Sequence, residues 1–506
     1  HLIDVAKALE GMPRHASTHA AGVVITEKPV YEYVPLSTND GNPVCQYQMT
    51  TLEELGLLKM DFLGLRNLTV LDDAVKLVQK TVPDFRIEDA PEDDKATYEM
   101  LAAGRTSGVF QLESTGMTGV CVSLKPRSIE DITALIALYR PGPMDSIPRF
   151  LECSVHPEKI SYKHELLRPI LSVTYGCIVY QEQVIEIFRR LAGFSLGQAD
   201  MIRRAMSKKK HKVIDAERVA FIHGDPSRGI AGAIANGVPE SVANSIYDEI
   251  LDFASYAFNK AHAVSYAIVA YRTAYMKRHY PQQYMAALLT SVLESSTKVA
   301  EYIAECRELG IKLLPPDVNE SDANFTVAGE NIRFGLVAIK GIGWGAIEEL
   351  VAERHENGLF TSFEDFCKRM SGKELNRRAV ENLIRAGAFD GMGYKRKALL
   401  QIAGAVIDSI SQAVRDNIAG QYDLFGDFEA QSETSPQTIP IPDVEEFSAR
   451  DKMMMEKEVT GLYLTGHPMD EYRDAVRKVG AVPIGAILGD FAADDGPQRF
   501  SDNQYV

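Results

Sequence analysis

The sequence predicts a multidomain α+β protein that is mostly α-helical, and three observations lead there. A 506-residue chain with 45% hydrophobic and 25% charged residues has room for roughly three to five cored domains. Alternation from Leu57 to Leu63 gives way at Gly64 to the helical spacing of Leu68, Leu71, Val75 and Val78, so a strand feeds a helix. From there to about residue 325 the apolar residues keep a helical period, interrupted by caps, prolines and glycines.

Residues 1 to about 66 read as strands and turns: GVVIT at 22–26, a connection from Pro29 to Pro43, VCQYQ at 44–48, then the strand through Asp61. One face of that last strand is apolar, with Leu58, Met60 and Phe62, and the other carries Lys59 and Asp61. The pattern puts Asp61 near the end of a largely buried strand. A carboxylate there is costly to bury unless it is paired or holds a metal, and Lys59 is a partner at hand. Arg14, His15 and His19 precede the first strand. Two histidines four apart suit metal ligation from one helix face, but no third ligand follows at a useful spacing.

Helical signals then dominate. Ser128 and Asp131 open an amphipathic helix through Ile132, Leu135 and Ile136 that stops at Arg140-Pro141-Gly142-Pro143. Val184, Ile187, Phe188 and Leu191 make another that ends at Gly193, and Ser195 with Gln198 is a capping-box signature opening SLGQADMIRRAMSKKKHK. Arg203, Arg204, Lys208, Lys209, Lys210 and Lys212 follow, and such a run is either a solvated basic face or a phosphate site. Val242, Ile246, Ile250 and Phe253 form one helix, and Val264, Ile268, Tyr271 and Tyr275 another that ends before Pro281. Between them, Ser255 to His262 reads as a helix-helix corner with core aromatics and polar Tyr256, Asn259, Lys260 and His262.

After residue 326 the character changes. Ile339-Lys340-Gly341-Ile342-Gly343-Trp344 is a glycine hairpin entering a helix, where free N–H groups suit an anion. Arg377 to Asp390 looks like a degenerate second copy. Gln421-Tyr422-Asp423-Leu424-Phe425 lies between glycines and suits a short docking peptide.

Net charge is −16, yet it is unevenly spread: Gln421 to Gly461 holds ten acids against three Lys and Arg, while Arg203 to Lys212 holds six Lys and Arg and no acid. Six cysteines without a C-x-x-C pair argue against a zinc site or a disulfide framework. No charged-then-apolar leader follows His1 and no stretch approaches the roughly 20 apolar residues of a membrane span, so a cytoplasmic protein is expected.

Taken together these stretches resemble one family. GLLKMDFLGLRNLT with RHASTHAAGVVI is similar to the second half of the palm of bacterial replicative DNA polymerase III alpha subunits, the C-family of DNA polymerases. The arginine-lysine run is similar to that family's LLRRAMGKKK element, SYAFNKAH to its Y-x-FNK-x-H element, and GLYLTGHPM to its G-x-Y-x-x-GHP element. The resemblance implies part of a polymerase-beta-like palm at 1–66, helical fingers at 67–325 and a tandem helix-hairpin-helix at 326–420. A clamp-binding region at 421–475 and the cut-off start of an OB-type barrel at 476–506 would follow.

It also implies residue roles. Asp61 is one of three catalytic carboxylates that hold two magnesium ions, Lys59 lies beside the incoming nucleotide, and RHASTHAAG is a palm loop near the primer terminus. Arg203 and Arg204 contact the triphosphate, with Tyr256, Asn259, Lys260 and His262 on triphosphate or base pair. Lys208, Lys209, Lys210, Lys340, Gly341 and Gly343 touch DNA, and Gln421, Leu424 and Phe425 bind the beta sliding clamp. Partners are therefore primer-template DNA, dNTPs, the clamp and other holoenzyme subunits, with no membrane. No P-D-x-D-x-D-type motif is present, so a partial polymerase, inactive alone, is expected; the alternative is a non-catalytic DNA- and clamp-binding scaffold.

Overall fold

The strand that carries Lys59 and Asp61 forms as half of an antiparallel ribbon. A computed structural model describes residues 2–10, 18–19, 21–39, 41–207, 211–254, 256–373, 375–422, 439–482, 484–485 and 487, and the chain divides into two units, His1–Arg66 and Asn67–Val506.

The first unit contains α1 (Leu2–Leu9), β1 (Gly22–Ile25), β2 (Leu36–Asn39), β3 (Asn42–Cys45), α2 (Met49–Glu54) and β4 (Leu58–Asp61). β1 pairs with β4, setting Gly22 opposite Asp61 and Val24 opposite Lys59, while β2 and β3 form a separate hairpin. Two expectations are corrected here. The connection from Pro29 to Pro43 contains β2, a proline-free strand between Pro35 and the hairpin turn, with Pro43 itself inside β3, and the short helix α2 lies where only turns were expected. The Asp61 strand is also open rather than buried: Leu58 is 56% exposed and Met60 47%, beside Val23 and Ile25 on the same face. Two strands alone cannot bury a face, and among the described residues no third strand pairs with β1 or β4.

The second unit is almost wholly helical. It begins with α3 (Arg66–Gln79), which buries Leu71 and Val78 as its periodicity predicts, but with Val70 and Ala74 beside them in place of Leu68, which is exposed, and Val75, which is half-buried. α4 (Lys95–Ala102), α5 (Thr115–Leu124), α6 (Ile129–Leu138), α7 (Ile147–Val155) and α8 (Arg168–Leu171) follow. Ser128 caps α6, its Oγ accepting the Asp131 N–H at 3.2 Å. α9 (Gln181–Ala192) ends at Gly193 with φ +79°, a left-handed turn that glycine takes without Cβ strain. α10 (Leu196–Ser207) opens on the reciprocal bonds expected of Ser195 and Gln198. α11 (His211–His223), α12 (Glu240–Ala254), α13 (Lys260–His279), α14 (Pro281–Ser291) and α15 (Ser296–Glu308) complete this run.

α13 corrects the sequence reading of its inner face. Ala263, Ala267, Ala270 and Ala274 are buried there, while Val264 and Ile268 are only half-buried. Small residues let the helix lie close against its neighbours, and alanine is what a count of large apolar residues overlooks. This face joins α4 to α7 in one core, and α8 to α12 enclose a second around Phe188, Phe221 and Tyr247.

A third core unites α3, α14 and α15 with the C-terminal elements. These are a three-stranded sheet, β5 (Leu313–Leu314), β6 (Thr326–Ala328) and β7 (Asn331–Arg333), then α16 (Trp344–Asn357), α17 (Phe363–Arg369), α18 (Arg377–Arg385), α19 (Arg396–Tyr422) and α20 (Ala449–Thr460). α21 (Arg473–Val479) is exposed throughout or nearly so. Beyond it, Ile484, Gly485 and Ile487 are helical, not the strand expected at the start of a barrel, and residues 488–506 lie outside the described residues. Among the described residues no helix is long and apolar enough to cross a membrane.

Candidate functional site

In the first unit the strand's two-residue period puts Lys59 and Asp61 on one face, and they meet: Lys59 Nζ lies 2.7 Å from Asp61 Oδ1. His19 Nδ1 is 3.8 Å from the same oxygen and accepts the Ala21 N–H at 3.2 Å. Gly22 makes the approach possible. A Cβ there would stand 2.7 Å from Lys59 Cε, 2.9 Å from His19 Nδ1 and 3.1 Å from Asp61 Oδ1. The hydrogen bond from Lys59, aided by the charges of Lys59 and His19, holds the Asp61 carboxyl below its usual range against some desolvation. His15 lies outside the described residues.

This donor set is one carboxylate with an ammonium already on it. Among the described residues no three of His, Cys, Asp and Glu come together as a metal site. Asp61 therefore fits as one ligand of a divalent ion and not as a site by itself.

The second unit brings Arg203, Asn259 and Lys260 to the start of α9. Arg203 donates from Nε and Nη2 to Asp200 Oδ1 at 2.9 and 2.8 Å and from Nη1 to Gln181 Oε1 at 3.0 Å. Arg204 reaches the other Asp200 oxygen at 2.8 Å. The two arginines differ sharply in access, with side chains 17% and 69% exposed. Arg203 first, then Arg204, holds the Asp200 carboxyl below its usual range.

Asn259 caps α13, its Oδ1 accepting the His262 N–H at 2.8 Å. Its Nδ2 donates to Glu182 Oε1 and the Lys260 N–H donates to Glu182 Oε2, both at 2.9 Å. Lys260 Nζ is 3.2 Å from Glu130 and 5.4 Å above the Tyr180 ring, whose buried hydroxyl has no partner among the described residues. Tyr256 and His262 are exposed, His262 stacking at 4.3 Å from Tyr266. Arg140 lies 4.0 Å over the Phe258 ring and donates to the Tyr256 carbonyl at 2.9 Å.

Sequence reasoning missed Asp200, Gln181, Glu182, Glu130 and Arg140. Asp200 carried a signal, since three- and four-residue spacing to the arginines marks a helical ion pair. Gln181 and Glu182 carried none, lying far along the chain from their partners.

In the hairpin, Gly341 takes φ +77° and Gly343 precedes α16 with no side chain capping it, so the first N–H groups of that helix stay open. Trp344 is half exposed. Lys340 is braced from behind: its N–H donates to Val459 O at 2.8 Å, its Nζ to Glu458 O at 3.1 Å, and its carbonyl accepts from Asn382 Nδ2 at 2.7 Å. Lys208, Lys209, Lys210, Leu424 and Phe425 lie outside the described residues. Gln421 falls near the end of α19 with its side chain undescribed.

Comparison with known proteins gives these features a frame. Residues 1–64 match a family model described as the bacterial DNA polymerase III alpha NTPase domain, residues 67–229 the bacterial DNA polymerase III alpha subunit finger domain, and residues 310–399 a helix-hairpin-helix motif. The DNA polymerase III subunit alpha of Borreliella burgdorferi is 41% identical over 97% of this chain and 42% of its own length. That of Thermus aquaticus is 44% identical over 96% of this chain and 39% of its own, and that of Bacillus subtilis 42% over 95% and 42%. The chain thus spans about two fifths of the length of these curated relatives. Likeness to one family along nearly the whole chain, in one unbroken order, makes this chain a member of the bacterial DNA polymerase III alpha-subunit family.

Proposed function

We propose that the chain is the part of a replicative DNA polymerase alpha subunit that binds the incoming nucleotide and grips the product duplex. The reaction is template-directed 5′–3′ DNA synthesis, transferring a nucleotide from a dNTP to a primer 3′-hydroxyl with release of pyrophosphate. The observation that carries this reading is the convergence of the arginine helix α10 and the Tyr256–His262 turn on the start of α9, in a chain whose relatives are named for this subunit.

In this reading, residues 1–66 are part of the palm, 67–325 the fingers, 326–420 the tandem helix-hairpin-helix, 421–475 the clamp-binding region and 476–506 a segment that begins helical and leads into an OB-type domain. Arg203 and Arg204, with Tyr256, Asn259, Lys260 and His262, form the nucleotide face. A guanidinium fork suits phosphate because it offers two parallel hydrogen bonds to phosphate oxygens. Lys59 contacts phosphate from the palm. The hairpin at Lys340, Gly341 and Gly343 offers backbone N–H groups to duplex phosphates without reading sequence, and Lys208, Lys209 and Lys210 add phosphate contacts. Gln421, Leu424 and Phe425 dock on the sliding clamp, and the protein works in the cytoplasm with other holoenzyme subunits. The relatives imply a divalent metal, which we take to be magnesium. When bound it would neutralise phosphate charge, with Asp61 as one ligand.

Primer extension tests the proposal. The polypeptide of the complete reading frame is expected to extend a primer and to lose that activity on Asp61→Ala; extension indifferent to Asp61 contradicts the catalytic assignment. The 506-residue chain alone is expected to extend nothing, and extension by it that Asp61→Ala abolishes would overturn that expectation. A second reading, a DNA- and clamp-binding scaffold, is favoured by one observation: Asp61 is in an ion pair with Lys59, and among the described residues no second carboxylate joins it in a metal-binding group.

A further inference from the structure

We infer that Gln181 and Glu182, the first two residues of α9, are a positioning pair. They hold the arginine helix α10 and the start of α13 in one arrangement, so that a single nucleoside triphosphate is read by both. The inference rests on the proposal that this face binds nucleotide.

Each residue of the pair faces a different way. Gln181 accepts from Arg203 Nη1 at 3.0 Å through its Oε1, donates to the Ala257 carbonyl at 3.0 Å through Nε2, and donates its own backbone N–H to the Phe258 carbonyl at 2.9 Å. One side chain thus joins α10 to the turn before α13. Glu182 divides its two oxygens between the Asn259 side chain and the Lys260 backbone N–H. That N–H is one of the donors left open at a helix start, and a protein carboxylate already occupies it.

The consequence is a division of labour among the sequence-predicted residues. Arg203, Asn259 and the Lys260 backbone hold elements together, and the Lys260 ammonium is paired with Glu130. Arg204, Tyr256 and His262 face solvent. Arg204 is held by an exposed carboxylate pair, and such pairs contribute little, so an incoming polyphosphate can take the fork over. α10 then supplies the phosphate contact, the turn before α13 supplies the contacts to the rest of the nucleotide, and Gln181 with Glu182 fixes their spacing.

Calorimetric titration of the full 506-residue chain with dATP and with inorganic tripolyphosphate separates the two halves. Glu182→Ala is expected to weaken dATP binding about tenfold, the scale of one or two hydrogen bonds to a charged group, while tripolyphosphate binding stays within about twofold. Gln181→Ala is expected to show the same selective loss. Glu182→Gln keeps the side-chain shape and one acceptor, guards against misfolding, and should give a smaller loss in the same ratio. Equal losses for both ligands in all three variants, or unchanged dATP binding, overturn the inference. If Arg204→Met alters neither ligand's affinity, the nucleotide reading fails, and the positioning pair with it.

Discussion

Replacing Glu456 with alanine is expected to loosen the hairpin without touching it. Glu456 is buried and accepts from Arg396 Nη2 at 3.0 Å, the Leu464 and Thr465 N–H groups at 2.9 and 3.0 Å, and Thr465 Oγ1 at 2.9 Å. Arg396 is itself buried, its guanidinium held also by Asp390 and the Arg385 carbonyl. Removing the carboxylate leaves half of a buried charge network and two amides unpaired, a cost of about 3–5 kcal/mol. The loss falls on α20, whose last turn supplies the Val459 and Glu458 carbonyls that hold Lys340. A chain with three cores does not unfold in one step, so local opening is the right observable. Hydrogen exchange in peptides covering 336–345 and 449–467 should accelerate by roughly a hundredfold to a few thousandfold, since each 1.4 kcal/mol is a factor of ten. Peptides from α9 and α10 should not change. Unchanged protection around Lys340 would refute the claim that α20 braces the hairpin.

Three further outcomes are expected. Gly22→Ala should leave stability within about 1 kcal/mol, because the added Cβ meets movable side-chain ends, yet it should push Lys59 and Asp61 apart; the Asp61 carboxyl followed by NMR should then titrate nearer its ordinary 3.8, and an unmoved titration contradicts the packing argument. Lys373 first, then Arg369 and Asn357, holds the Glu353 carboxyl at about 2 instead of 4.5. Its folded pKa lies below the unfolded one, so its contribution is complete above about 4.5 and is lost as pH falls towards about 2; Glu353→Gln should flatten the acid limb of melting temperature against pH in that window, and an unaltered limb counts against it. Leu424→Ala with Phe425→Ala should abolish capture of the chain by immobilised sliding clamp, and retained capture would move the clamp site elsewhere.

The helices of the second unit were legible because their signals are local. Ser128, Ser195 with Gln198, Gly193 and Pro281 each mark a boundary through chemistry within four residues of it. The salt bridge weighed for Asp61 was legible too, from the two-residue period that puts Lys59 beside it. What escaped has a common cause: it depends on chain that is distant or small. β2 and α2 are four and six residues long, too short for periodicity to build. The α13 face is made of alanines, which a hydrophobic count underweights. The openness of the ribbon depends on which strands lie beside β1 and β4, and no pattern within β4 encodes that. The bonds of Gln181 to Arg203 and of Arg396 to Glu456 join residues with nothing in common in sequence. The candidate nucleotide face was thus readable as a set of residues and unreadable as an arrangement.

Photolabelling tests the central claim most directly. The 506-residue chain irradiated with 8-azido-dATP and mapped by mass spectrometry should carry its label in peptides covering 196–207 or 256–268, and unlabelled dATP should suppress that labelling. Label confined to other peptides, or insensitive to dATP, would contradict a nucleotide site at the meeting of α10 and α13.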